Sequence, residues 1–249
     1  MSGRLACSRR EFLAFLSLGP LGEWWPLFRT RRVSLAGAHF RILRNGRSKR
    51  RYLLIHGDEQ TAREVLTRHM ETHEGIAYVI ENHTRNVSLD GGEIDPIRIF
   101  SRAGAEANLK TLNPGWTPRQ AQAALTALDR GREKLVRALV PPPGGLLVAL
   151  HNNSEAYSVA DEEPISDAAS IRERTRPHAF FLCTDPKDFA ILATSPYNVV
   201  LQQRVPKQDD GSLSRLAAAR GVRYLNLEVQ LGHSGRQQEM LAWLEWNLP

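Results

Sequence analysis

Residues 52–66 change from one secondary-structure pattern to another within a few positions. An apolar run ends at Ile55, the sequence His-Gly-Asp-Glu follows, and apolar residues then recur at helical spacing. This pattern predicts a strand, a tight turn and the start of a helix. In an open α/β sheet, residues at the carboxyl end of a strand face the crevice in which ligands bind. We therefore expect His56 and Glu59 at the edge of such a crevice.

The spacing of His56 and Glu59 suits a metal site. An imidazole nitrogen and a carboxylate oxygen separated by two residues can converge on one zinc ion, each at about 2.0–2.2 Å. The same spacing also arises by chance, and an acidic residue near a helix start is favoured by the helix dipole, so a surface or capping role stays open. A second apolar run, residues 146–150, also ends in a histidine, His151, and favours metal binding.

Cysteine is too scarce to hold a metal in this chain. The 249 residues are 42% hydrophobic, which is enough for one domain with a sizeable core. Cys7 and Cys183 are far apart, which excludes a disulfide framework and a cysteine-rich metal site. Any metal ion must therefore be held by histidines and carboxylates.

The excess of positive over negative charge lies in the first 51 residues. Residues 1–51 contain 12 Lys or Arg and only two Glu, a balance of +10, which leaves −4 of the overall +6 for the remainder. A folded domain with that balance does not offer a basic face, so we do not expect a nucleic-acid partner.

The first residues resemble a twin-arginine export signal. Residues 8–13 read Ser-Arg-Arg-Glu-Phe-Leu, and a short, weakly apolar run follows. Gly19 and Pro20 interrupt this run, which is too short for a stable membrane span. A basic amphipathic helix on the folded protein is the alternative. We expect a leader in residues 1–38, ending in small residues that offer a cleavage site, a single catalytic domain in residues 39–249, and a periplasmic or secreted protein.

Strands and helices are predicted to alternate along the rest of the chain. An Asn-Gly pair at residues 45–46 indicates a hairpin into the strand that ends before His56, and the following helix and strand form a β-α-β unit, which predicts an α/β protein. Hydrophobic periodicity and cap residues predict strands at residues 33–43, 52–55, 76–80, 146–150, 179–183, 198–202 and 224–231, and helices at 61–72, 117–139, 185–195, 212–220 and 237–248.

Glycines and a proline predict a long surface loop at residues 87–100. The loop contains Arg98, whose planar cation suits a carboxylate or the charge that develops on a carbonyl oxygen during amide cleavage. An ordinary exposed arginine is the alternative. Arg102 is a second candidate.

A strand near the end of the chain alternates strictly between apolar and polar residues. Tyr224, Asn226, Glu228 and Gln230 share one face of residues 224–231. The other strands are nearly all apolar, so we expect this polar face to line a cleft. An edge strand with one solvated side is the alternative.

The order of these features resembles the zinc carboxypeptidase superfamily, including its succinylglutamate desuccinylase and aspartoacylase branch. The resemblance covers residues 50–230 and consists of His56-x-x-Glu59, an arginine in a loop, His151 at a strand end and Glu228 within a strand. It implies a three-layer α/β/α sandwich on a mixed, mostly parallel sheet. It also implies zinc as the cofactor, held by His56, Glu59 and His151, with Glu228 as general base and acid. The family carries Asn-Arg where this chain has Ile97 before its arginine.

The resemblance also implies an activity. It is that of a zinc-dependent hydrolase that cleaves an amide bond, of the carboxypeptidase or N-acyl amino acid deacylase type, on a peptide or acyl-amino-acid substrate such as a peptidoglycan peptide. Arg98 would steady the oxyanion or the substrate carboxylate, and Asn152 and Tyr157, which follow His151, would contact the substrate. The alternative is a non-catalytic domain that binds a cell-wall ligand in the same cleft.

Overall fold

The computed structural model describes residues 31–204 and 209–249. A nine-stranded mixed sheet forms the centre of this fold. The four central strands are parallel to one another, and antiparallel pairs lie on both sides of them. The order across the sheet is β1 (Arg31–Leu35), β2 (Ala38–Asn45), β4 (Gly75–Ile80), β3 (Arg51–Leu54), β7 (Leu147–Asn153), β11 (Tyr224–Gln230), β9 (Phe180–Cys183), β10 (Asn198–Leu201) and β8 (Ala168–Ser170). A separate hairpin is formed by β5 (Val87–Leu89) and β6 (Gly92–Ile94).

Helices cover both faces of the sheet. They are α1 (Gln60–Thr72), α2 (Arg102–Leu112), α3 (Pro118–Leu139), α4 (Val159–Glu162), α5 (Pro186–Leu192), α6 (Leu213–Arg220) and α7 (Ser234–Asn247). Apolar residues of α1, α5 and α7 pack on one face, and those of α2, α3, α4 and α6 pack on the other. Strand β7 shows how this arises, because Leu147 and Ala149 point into one core and Val148 and Leu150 into the other. The predicted α/β class with a mixed sheet, parallel in its middle and flanked by helices, is confirmed.

None of the helices in the described ranges is long and apolar enough to span a membrane.

Cap residues account for three of the predicted helix ends. The hydroxyl of Thr117 accepts a hydrogen bond from the amide of Gln120, whose side chain returns to Thr117, and Pro118 occupies the first turn of α3. Asp185 accepts hydrogen bonds from the amides of Lys187 and Asp188 at the start of α5. Gly221 ends α6 in the left-handed conformation, at φ 61°, which a residue without a Cβ adopts most readily. Caps of this kind contribute about 1 kcal/mol each to stability.

The first predicted strand is wrong in its extent. Residues 33–43 do not form one strand; β1 and β2 form a hairpin that turns at Ala36 and Gly37. A Cβ on Gly37 would lie 1.7 Å from the carbonyl oxygen of Ser88, so this turn packs against the neighbouring hairpin at a distance that only glycine allows. The described sheet therefore begins at residue 31, before the predicted domain start at residue 39, and residues 1–30 of the predicted leader lie outside the described residues.

The predicted hairpin between β2 and β3 is also wrong. The chain does turn at Gly46, which has φ 60°, but β4 lies between the two strands, antiparallel to β2 and parallel to β3. All six residues of β4 are buried. An apolar strand of this kind needs a partner on both edges and cover on both faces, and the position between β2 and β3 provides both.

Residues 87–100 are not a long surface loop. They form the hairpin of β5 and β6 and a short 3-10 helix, Pro96–Arg98. The glycines mark the hairpin turn, where Asp90 and Gly91 have φ of 50° and 83°. Val87, Leu89 and Ile94 are buried in the core, which fixes the hairpin beside the end of β3.

Candidate metal centre

Two parallel strands bring His56 and His151 to the same region of the fold. β3 and β7 are neighbours in the sheet and run in the same direction. His56 follows β3 and His151 lies in the second half of β7. Glu59 directly precedes α1, but its side chain makes no capping hydrogen bond to the helix. All three side chains are buried, so the capping and surface roles do not describe this glutamate.

The three side chains converge on one another. Glu59 Oε1 lies 2.7 Å from His56 Nδ1 and 3.2 Å from His151 Nδ1. One potential ligand atom from each residue lies within 4.8 Å of the other two. Two imidazoles and one carboxylate are thus positioned to hold a metal ion.

The second oxygen of Glu59 supports this assignment. Glu59 Oε2 is buried and has no hydrogen-bond partner among the described residues. An unpaired buried carboxylate oxygen costs free energy, and a cation at this position would compensate it. The nitrogen and oxygen donors, with no thiolate, suit a divalent transition metal.

Asp95 forms a hydrogen bond with the nitrogen of His56 that faces away from Glu59. Its Oδ1 lies 2.8 Å from His56 Nε2 and also accepts a hydrogen bond from the amide of Ile97. A carboxylate on the far nitrogen fixes the orientation of an imidazole ligand. Burial lowers the pKa of His56, but its hydrogen bonds to the carboxylates of Asp95 and Glu59 outweigh burial and raise that pKa to about 9. No local sequence pattern predicts this role, because 39 positions separate the two residues.

Glu228 lies beside the metal-ligand group. β11 runs parallel to β7, with Glu228 opposite His151 in the register. The carboxylate is buried and accepts hydrogen bonds from Asn226 Nδ2 at 3.0 Å and Asn153 Nδ2 at 3.3 Å. Burial raises the pKa of Glu228 above its ordinary value.

The polar face of β11 lines a cavity of about 810 Å³. The lining includes the three potential metal ligands, Glu228 and the side chains that precede and follow it on the same face. A cavity of this volume accommodates a small-molecule or peptide ligand.

Arg98 and Arg85 both line the cavity, in different surroundings. Arg98 Nη1 pairs with Asp210 Oδ2 at 2.7 Å. Arg85 lies next to the metal-ligand group, with Nη1 3.8 Å from Glu59 Oε1 and Nε 3.6 Å from Asp95 Oδ2. Sequence reasoning missed Arg85, because no periodicity or turn signal marks it.

Of the other predicted site residues, Arg102 lies outside the cavity lining and Asn152 belongs to it. Arg102 pairs with Asp129 and is not part of the cavity lining. Asn152 touches the cavity, but its Oδ1 accepts the amide of Ala62 and its Nδ2 donates to main-chain oxygens, so its hydrogen bonds tie α1 to the sheet.

Tyr157 also lines the cavity, and its hydroxyl donates to Glu162 Oε1 at 2.6 Å. Burial, with the nearby charges of Glu228 and Glu162, raises the pKa of Tyr157, so the phenol stays protonated and acts as a hydrogen-bond donor.

Comparison of the chain with protein-family models, with curated proteins and with solved structures found no match. The functional assignment therefore depends on the site itself. Its informative features are three converging side chains that could hold a metal, a buried carboxylate on the adjacent strand and three cavity-lining arginines.

Proposed function

We propose that this protein is a zinc-dependent hydrolase that cleaves amide bonds, of the carboxypeptidase or N-acyl amino acid deacylase type. The observation that carries the proposal is the buried group of His56, Glu59 and His151 with Glu228 on the neighbouring strand. Two imidazoles and one carboxylate form a ligand set typical of catalytic zinc sites, which keep a further position open for water or substrate. Zinc bound there would supply Lewis acidity to the substrate carbonyl and to water.

Glu228 acts as the general base and acid in this proposal. Its carboxylate accepts a proton from the attacking water and returns it to the departing nitrogen. Burial raises its pKa above that of an exposed glutamate, which favours the return of the proton from this carboxyl group. Asn226 and Asn153 hold the carboxylate in place through its two oxygens.

Arg85 and Arg98 have separate roles in this proposal. Arg85, the guanidinium next to Glu59, stabilises the negative charge that develops on the carbonyl oxygen. Arg98 lies with Asp210 in the cavity lining and binds the carboxylate of the substrate. Tyr157, in the same lining, donates its hydroxyl proton to Glu162.

The finer assignments of fold and location complete the proposal. Helices on both faces of a mixed sheet support the three-layer α/β/α sandwich of the zinc carboxypeptidase superfamily. The twin-arginine-type leader supports export of the folded protein, with a periplasmic or secreted site of action. At that location, the amide bond that is cleaved would lie at a peptide C-terminus or in a peptidoglycan stem peptide.

Amide hydrolysis that depends on zinc tests the proposal. The full chain is treated with a chelator, reloaded with zinc and assayed for amine release from a panel of N-acyl amino acids and short peptides. We expect hydrolysis in the reloaded protein, none after chelation and none in His151→Ala. Zinc binding with no turnover on any amide would favour the ligand-binding domain, and full activity after chelation would refute the proposal.

A further inference from the structure

Two side chains in the cavity lining carry amide oxygens that have no hydrogen-bond donor among the described residues. The side-chain nitrogens of Asn153 and Asn226 both donate to the carboxylate of Glu228. An ionised carboxylate only accepts hydrogen bonds, so the amide oxygens must point elsewhere. Both oxygens are buried without a partner among the described residues, in side chains that are only 7% and 9% exposed.

Glu162 adds a negative charge to the same cavity. Its Oε1 accepts from the Tyr157 hydroxyl and its Oε2 from the amide of Gln202. In residues 31–204 and 209–249, no basic side chain forms an ion pair with this carboxylate. Neutral donors alone therefore face its charge.

The sheet connects these acceptors into one wall. Asn226 lies opposite Leu182 in the pairing of β11 with β9, and Leu182 lies opposite Val200 in the pairing of β9 with β10. Gln202, the partner of Glu162, comes two positions after Val200. Tyr157 lines the same cavity and donates its hydroxyl to Glu162 Oε1 at 2.6 Å.

The positive charges of the cavity lie elsewhere. Arg98 is paired with Asp210, Arg215 lies near the same aspartate, and Arg85 faces Glu59 and Asp95. None of these cations compensates Glu162. The cavity thus has an arginine-containing part, suited to a carboxylate, and an acceptor wall, suited to a donor.

We infer that the acceptor wall of Asn153, Asn226 and Glu162 binds a cationic amino group of the substrate, so that the preferred substrates are amides of basic amino acids. A primary ammonium brings three donors and a positive charge. A carbonyl or an alkyl group would leave the two amide oxygens unpaired and the carboxylate uncompensated. This inference rests on the proposed function and names the substrate class of the same site.

Isothermal titration of the zinc-loaded full chain with L-lysine, L-norleucine and Nε-acetyl-lysine tests the inference. The three ligands share their α-amino and α-carboxyl groups, and only lysine carries a side-chain cation. We expect lysine to bind at least about tenfold more tightly than the other two, as a charge-assisted hydrogen bond to a carboxylate predicts. Glu162→Gln should remove most of this preference and leave norleucine binding unchanged.

Glu163→Gln is the matched control, because it removes the same charge from an exposed neighbour outside the cavity lining. It should leave the preference for lysine intact. Equal binding of the three ligands by the wild type, or an undiminished preference in Glu162→Gln, would overturn the inference. The comparison with Nε-acetyl-lysine needs no variant, so it decides the question even if Glu162→Gln does not fold. Failure of the proposed function appears separately, as absent zinc or absent amide hydrolysis.

Discussion

Replacement of Glu228 by glutamine separates a general base from a metal ligand. Glutamine keeps the shape of the side chain and removes its proton acceptor. Its new amide group would meet the Nδ2 donors of Asn153 and Asn226. Asn226 donates only to Glu228, so it can turn its unpaired Oδ1 toward the new donor without losing another hydrogen bond.

The expected magnitudes follow from this local exchange. One hydrogen bond replaces another, so the free energy of unfolding should change by less than about 1.5 kcal/mol. Zinc content should stay the same, because His56, Glu59 and His151 are untouched. Turnover should fall by about 10²- to 10⁴-fold, the usual contribution of general acid-base catalysis, which corresponds to about 2.7–5.5 kcal/mol in activation free energy.

The assay measures turnover, zinc content and the urea midpoint on one preparation. Glu155→Gln is the control, because it removes a carboxylate from an exposed position in the lining of the same cavity; its turnover should change by less than about threefold. A wild-type rate with normal zinc in Glu228→Gln would refute the mechanism. Loss of zinc together with the rate would identify Glu228 as a ligand.

Three further predictions concern the metal, the leader and a partly buried carboxylate. Zinc added to the metal-depleted protein at about 100 times its dissociation constant should stabilise the fold by about 2.7 kcal/mol, which raises the melting temperature by about 5–11 °C. An unchanged melting temperature in thermal unfolding would contradict zinc binding. The double variant Arg9→Lys, Arg10→Lys should remain in the cytoplasm in a fractionation experiment, because the signal depends on paired arginines and not on charge alone, and undiminished export would show that the leader has another role. Burial raises the pKa of Glu245, but hydrogen bonding to His69 and the charge of Arg50 outweigh burial and lower that pKa. The ionised carboxylate therefore stabilises the fold fully above its ordinary pKa of 4.5 and loses this contribution as the pH falls toward the lowered value. Glu245→Gln should therefore have a lower urea midpoint than the wild type at pH 7 and approach it in acid, and a difference independent of pH would contradict this.

Local patterns were sufficient to predict the potential metal ligands. His56 and His151 each follow an apolar run, and parallel neighbouring strands bring such positions to the same edge of a sheet. Glu59 is three residues from His56, so one turn fixes their relation. The strict alternation of β11 likewise predicted which face carries Glu228.

Other parts of the site depend on tertiary packing and could not be predicted. Asp95 reaches His56 only because the β5–β6 hairpin packs its apolar side chains against the core. The position of β4 between β2 and β3 depends on how a fully buried strand is covered, whereas the turn at Gly46 indicates only that the chain reverses. The role of Glu162 depends on β9 and β10, which bring Gln202 to the cavity.

The zinc content of the purified protein tests the central claim most directly. Elemental mass spectrometry after dialysis should find about one zinc ion per chain in the wild type. It should find little in His56→Ala and His151→Ala, because two remaining protein ligands rarely retain the metal. His39→Ala, which removes an exposed histidine outside the site, should keep the wild-type content. Full zinc occupancy in both His56→Ala and His151→Ala would contradict the assignment of this site.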